Sequence, residues 1–170
     1  MKPRELGALI AVAVFAVDQA AKAAVLSRVP GNAAESTPLT PFLDLALRWN
    51  RGISFSLFAQ DSPLGLAILT GVTLAATALL GWWLSRSRTN LAAAGLGAII
   101  GGALGNAVDR IAHGAVVDYL DLHAFGRHFF VFNLADAAIN IGVALLVLDL
   151  AIGPRASDHR EEPISPPRAN

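Results

Sequence analysis

The sequence predicts an all-α membrane protein: a four-transmembrane-helix bundle with a small extracytoplasmic β-sheet. Three observations carry this. Of 170 residues, 54% are hydrophobic and 15% charged, and the mean hydropathy is +0.53; a soluble domain carries about 25% charge. Four segments are apolar over roughly the 20 residues that a helix needs to cross about 30 Å of hydrocarbon. Two of the connecting stretches alternate apolar and polar residues with the period of a strand.

Composition also excludes some classes. Net charge is zero, and the scattered basic residues form no patch that would serve a nucleic acid. There is no cysteine, hence no disulfide, thiolate metal site, cysteine nucleophile or lipidation of this chain on cysteine.

The first span runs from Leu6 to Leu26, interrupted only by Asp18, Gln19 and Lys22. Its basic start and the later "AKA" have the look of a cleaved leader. However, Asp18 and Lys22 continue the helical pattern and three more spans follow, so a retained helix is expected. An outer stretch, residues 40–58, comes next. In it Leu43, Leu45, Leu47 and Trp49 alternate with Asp44, Arg48 and Asn50. After "NRG" the alternation resumes with Ile53, Phe55 and Leu57, which reads as strand, tight turn and second strand.

The second span, Leu64 to Leu84, has no charge. The third, residues 91–110, is apolar as far as Val108 and closes on Asp109 and Arg110. Gly97, Gly101 and Gly105 repeat along it in the small-xxx-small pattern of close helix packing. The second outer stretch, residues 115–132, has strand character around a turn at Gly126. The fourth span is Val131 to Ile152. Residues 1–152 are thus expected to form one membrane-embedded domain. The Pro-rich polar remainder, 153–170, is expected to be a disordered cytoplasmic tail.

Basic residues set the orientation. Lys2 and Arg4 precede span one, Arg86 and Arg88 separate spans two and three, and Arg155, Arg160 and Arg168 follow span four. All three regions lie on one side of a four-span protein, so both termini are expected in the cytoplasm. The bias is moderate, since Arg28, Arg48, Arg51 and Arg127 fall in the opposite loops.

Ionisable residues inside a span cost several kcal/mol unless paired or facing a wet cavity. Asp18 and Lys22 are four apart on one helix face. They either form a self-neutralising pair that positions the helix or help to scaffold a site. Asn106 and Arg110 share a face at the end of span three, where a local ion pair is the simpler reading. Asn133, Asp136 and Asn140, at i, i+3 and i+7, form one polar stripe. Asp118 follows Arg110 by eight residues, placing it at the same outer interface as Asp136; Asp121 and Asp109 are its local competitors. Two carboxylates at one interface suit acid–base chemistry: repulsion leaves one protonated while the other ionises and can deprotonate a water. His113, His123 and His128 lack HExxH spacing, so no metal is expected.

In order, "DQAAK", "NRGISFS", "GGALGNAVDR", "VVDYL" and "FNLADAAI" cover nearly the whole chain. This chain resembles the lipoprotein (type II, prolipoprotein) signal peptidases of bacteria, four-helix membrane aspartyl proteases. The resemblance implies a catalytic dyad of Asp118 and Asp136, supported by Asp18, Lys22, Asn50, Gly52, Asn106, Arg110 and Asn133. It implies no cofactor and no metal. Its substrates would be diacylglyceryl-modified prolipoproteins, cut just before the lipid-bearing cysteine by a monomer in contact with membrane lipids of the cytoplasmic (inner) membrane. The family's outer β-cradle would fall on Leu43 to Phe58 with Asp118 to Phe132, and its active site at the outer leaflet. Ser54 and Tyr119 depart mildly from the family's common alanine and phenylalanine. Without the resemblance, a proton-linked carrier or a structural assembly protein would also fit. A carrier should spread polar groups through the full depth, and an assembly protein should tolerate amides at both aspartates.

Overall fold

Gly97 and Gly101 bring the first and third helices into backbone contact, and the rest of the bundle is arranged around that contact. The computed structural model describes residues 1–28, 36–51 and 63–152. Four long helices, α1 (Pro3–Arg28), α2 (Pro63–Ser85), α3 (Asn90–His113) and α4 (Leu134–Ile152), are each apolar and long enough to span. Four strands, β1 (Ser36–Thr40), β2 (Leu43–Asn50), β3 (Val116–Ala124) and β4 (Arg127–Phe132), form one antiparallel sheet in the order β1-β2-β3-β4.

α3 is the central helix, packed against α1, α2 and α4. A Cβ on Gly97 would collide with the backbone of Gly7, and one on Gly101 with the carbonyl of Ala11. A second glycine face meets α4: Gly95 lies against Gly142, and Gly102 against Ala135. Apolar side chains face lipid on the outside of a membrane bundle, so the hydrophobic effect does not hold these helices together. Backbone proximity and interhelical hydrogen bonds do. The small buried cluster of Ala11, Leu84, Ala93, Leu96 and Ile100 fills what the glycines leave.

Two ends differ from the apolar limits of the sequence. Span three continues past Val108 to His113, where Gly114 at φ 70° takes the left-handed cap and donates to Arg110 O at 3.0 Å. Span four begins at Leu134 rather than Val131, because Val131 and Phe132 pair with Asp121 and Leu120 in the sheet.

The expected sheet is present, and β1 is an additional strand. β2 pairs with β1 on one side and β3 on the other. The expected turn at Gly52, the second strand at Ile53 to Leu57 and the tail from 153 lie outside the described residues. β3 and β4 join through Phe125 (φ 51°) and Gly126 (φ 72°), a two-residue hairpin turn with positive φ at both positions. Val25 of α1, Leu47 of β2, and Val117 and Tyr119 of β3 form the core between sheet and bundle. Trp49 meets His113 edge-on, ring centroids 5.6 Å apart, where β2 crosses the end of α3. On the sheet itself, His123 bonds Asp44 and His128 bonds Asp121, each at 2.9 Å.

Candidate active site

Asp136 sits three residues inside α4, and Asn133 caps that helix. Asp136 N donates to Asn133 Oδ1 at 2.9 Å, and Asn133 N donates to Asp136 Oδ2 at 3.3 Å. This reciprocal pair is a capping box. It fixes the carboxylate in the first turn, where the helix dipole favours negative charge.

Asp118 lies in β3, opposite Arg48 of β2, and is 2% exposed. Asn133 Nδ2 donates to its Oδ1 at 2.7 Å, and Asn50 Nδ2 to its Oδ2 at 2.8 Å. Asn106 Nδ2 donates to Asp136 Oδ1 at 2.8 Å, while its own Oδ1 accepts from Asn133 Nδ2 at 3.1 Å. Asn133 and Asn106 therefore bind the two carboxyl groups into one network. Burial pushes the Asp118 carboxyl up to about 6; the Asn50 hydrogen bond opposes this, and the charge of Asp136 adds to it.

Beneath the aspartates is a second charged cluster. Lys22 Nζ is 2.8 Å from Asp18 Oδ2, 2.8 Å from Asp109 Oδ2 and 3.0 Å from Asn106 Oδ1. Asp18 Oδ1 accepts from Ala135 N at 2.9 Å, so α1 also anchors the first turn of α4. Gln19 Nε2 donates to Asp109 Oδ1 at 3.2 Å and to Gly105 O at 3.3 Å. The ammonium has three acceptors for its three protons. That satisfaction is what makes burial of the ions tolerable.

The end of β3 is held by side chains. Pairing with β4 stops at Leu120. Beyond it, Val117 N donates to Asp109 Oδ2 at 3.1 Å, and Val117 O accepts from Asn133 Nδ2 at 3.3 Å.

Arg110 does not form the local ion pair expected at the end of span three, because Asp109 turns inward to Lys22. Its guanidinium interacts electrostatically with Asp136, Asp118 and Asp109. Its Nη1 reaches Asn106 O at 3.4 Å, and its Nε is buried with no hydrogen-bond partner among the described residues. Asn140 turns its Nδ2 back to Asp136 O at 2.9 Å and does not meet either carboxyl group. Gly52 lies outside the described residues. Gln19 and Asp109 are the network members that the sequence reading did not place in a site. A usable signal was that Gln19 shares a face with Lys22, and Asp109 with Asn106.

A groove of about 460 Å³ opens beside Asp136, lined by Phe130, Phe132, Ala137, Ile139 and Asn140. Among the described residues, no three His, Asp or Glu side chains are grouped to hold a metal ion.

Two carboxyl groups in one hydrogen-bond network at the end of a membrane bundle are the equipment of an aspartyl protease. Residues 10–152 match the family described as signal peptidase (SPase) II. This chain belongs to the signal peptidase II family. It is 46% identical over 149 residues to the lipoprotein signal peptidase of Methylobacterium sp. (strain 4-46), covering 88% of this chain and 90% of the relative. Against that of Beijerinckia indica subsp. indica it is 49% identical, covering 88% and 89%. Against that of Methylobacterium radiotolerans it is 42% identical over 170 residues, covering 100% and 97%. A solved structure of a bacterial membrane enzyme superposes with TM-score 0.75 at 27% identity, covering 87% of this chain and 94% of that one. As a member of this family, the chain is a multi-pass inner-membrane protease that cleaves lipoprotein signal peptides.

Proposed function

We propose that Asp118 and Asp136 are the catalytic pair, and that the substrate is a diacylglyceryl-modified prolipoprotein cut just before its lipidated cysteine. The observation that carries the dyad is the shared hydrogen bonding of both carboxyl groups to Asn133. Asp118, raised to about 6 by burial, holds the shared proton, and Asp136 acts as the base. A dyad of this kind titrates as a pair.

Water attacks the scissile carbonyl as Asp136 takes its proton, while Asp118 gives its proton to the carbonyl oxygen. The C–O bond forms, and a neutral tetrahedral diol results. Its collapse returns a proton to Asp118 and breaks the C–N bond, as Asp136 passes its proton to the leaving amine. Arg110, whose Nε has no hydrogen-bond partner among the described residues, hydrogen-bonds a substrate carbonyl. Asn106 and Asn133 keep the carboxylates aligned, Asn50 holds Asp118 through its amide, and Gly52 is a further supporting residue. Asp18 and Lys22 brace α1. The groove by Phe130 and Phe132 receives residues next to the scissile bond.

The positive-inside distribution supports cytoplasmic termini and, with them, a dyad at the outer leaflet. The protein acts as a monomer, with its lipid-facing surfaces in the bilayer. The decisive assay offers purified protein a lipid-modified precursor in detergent. Asp118→Asn and Asp136→Asn should each abolish cleavage, and persistence in either variant refutes the dyad. Equal cleavage of unmodified precursor refutes the lipid requirement.

A further inference from the structure

At the end of the bundle away from the dyad, α2, α3 and α4 surround a recess of about 230 Å³ that the peptidase chemistry leaves unused. Arg86 and Arg88 stand at its mouth, and neither forms an ion pair among the described residues. Arg86 stacks over Trp82, 4.2 Å from the ring centroid. The acid at this recess, Asp149, is engaged: it accepts from Thr89 Oγ1 at 2.6 Å. Thr89 in turn caps α3, so the positive end of a 24-residue helix starts at the recess. Ser87 lines the recess as well, and its Oγ is buried with no hydrogen-bond partner among the described residues.

The recess also has an apolar wall: Trp83 from α2, with Leu146 and Leu150 from α4. α2 and α4 make at most grazing contact with each other, so the recess is a wedge between two helices that otherwise lack a direct interface. Cationic groups beside aliphatic walls match a phosphodiester headgroup with an acyl chain next to it. A soluble anion would use only the cationic groups.

We propose that this recess binds one anionic phospholipid, its phosphate held by Arg86 and Arg88 and one acyl chain lying along Leu146 and Leu150 between α2 and α4. The proposed orientation puts the lipid in the inner leaflet. Only the leaflet rests on that reading, since binding in detergent is independent of orientation.

The test uses delipidated full-length protein in detergent, with lipid retention read by native mass spectrometry. Phosphatidylglycerol should bind roughly tenfold more tightly than phosphatidylcholine, whose phosphate is offset by a choline cation that the two arginines repel. The double variant Arg86→Gln/Arg88→Gln should lose that preference. Arg4→Gln, at the same end but outside the recess, should keep it. The proposal is overturned if the double variant retains the preference, if Arg4→Gln loses as much, or if inorganic phosphate displaces the lipid at equal affinity. A second readout needs no arginine variant. With Trp49→Phe and Trp82→Phe leaving Trp83 as the fluorophore, brominated phosphatidylglycerol should quench it more strongly than brominated phosphatidylcholine. Equal quenching by both sinks the site.

Discussion

Asn133 donates from Nδ2 to Oδ1 of Asp118 at 2.7 Å, so the residue that starts α4 also grips β3 close to one end. Its Oδ1 is occupied by Asp136 N at 2.9 Å, which leaves the amide one workable orientation. Asn133→Ala should lower kcat/KM by at least about 100-fold through misalignment and lower stability by about 1 kcal/mol through the lost cap. Asn133→Ser keeps a capping oxygen but is too short to reach Asp118. It should restore thermal stability while leaving activity low, and recovery of both would assign Asn133 to helix capping alone.

The raised Asp118 carboxyl predicts a pH profile. If Asp118 must be protonated, kcat/KM falls as pH rises through about 6, where that proton is lost. The Asn50 hydrogen bond favours the ionised form and holds the value down. Asn50→Ala should therefore move the descending limb to higher pH while reducing the maximum. A limb that moves to lower pH, or stays in place, contradicts the assignment of the proton to Asp118.

Lys22 neutralises part of a buried pair of acids. Lys22→Met leaves Asp18 and Asp109 without their cation and should cost about 3–5 kcal/mol. Thermal unfolding in detergent reads this directly. Adding Asp109→Asn to Lys22→Met should recover part of the loss, because one uncompensated charge is removed. No recovery would mean that packing rather than charge holds the cluster.

The helix contacts predict opposite outcomes for two glycines. Gly97→Ala places a methyl against Gly7 backbone, which no side-chain rotation can relieve, and should separate α1 from α3 with a loss of several kcal/mol. Gly81→Ala meets nothing within 4 Å. It should be neutral or stabilising by up to about 1 kcal/mol, as expected from helix propensity. Similar melting temperatures for the two variants would contradict the close approach.

Much of this architecture was legible because the bilayer forces long apolar runs. The four helices follow from composition, and close packing on α3 from the spacing of Gly97, Gly101 and Gly105, which does not say that α1 is the partner. Where the reading stopped short, a different rule governed the residues. Ser36–Thr40 shows no apolar alternation and contains Pro38, yet it pairs as an edge strand, where proline is tolerated and the register is irregular. Val131 and Phe132 are as apolar as a span but belong to the sheet, because Asn133 begins the helix after them. Asp109 looked like a partner for its neighbour Arg110. Only the packing of α1 on α3 brings Lys22 close enough to claim it.

The side chains that finish β3 carry one more implication. A strand can slide along its neighbour, and a step of one residue would present Val117 or Tyr119 where Asp118 now stands. Asp109 and Asn133 clasp the amide and carbonyl of Val117, like a ratchet pawl set one tooth before the residue that matters. Position 118 is therefore pinned from the bundle as well as from the sheet.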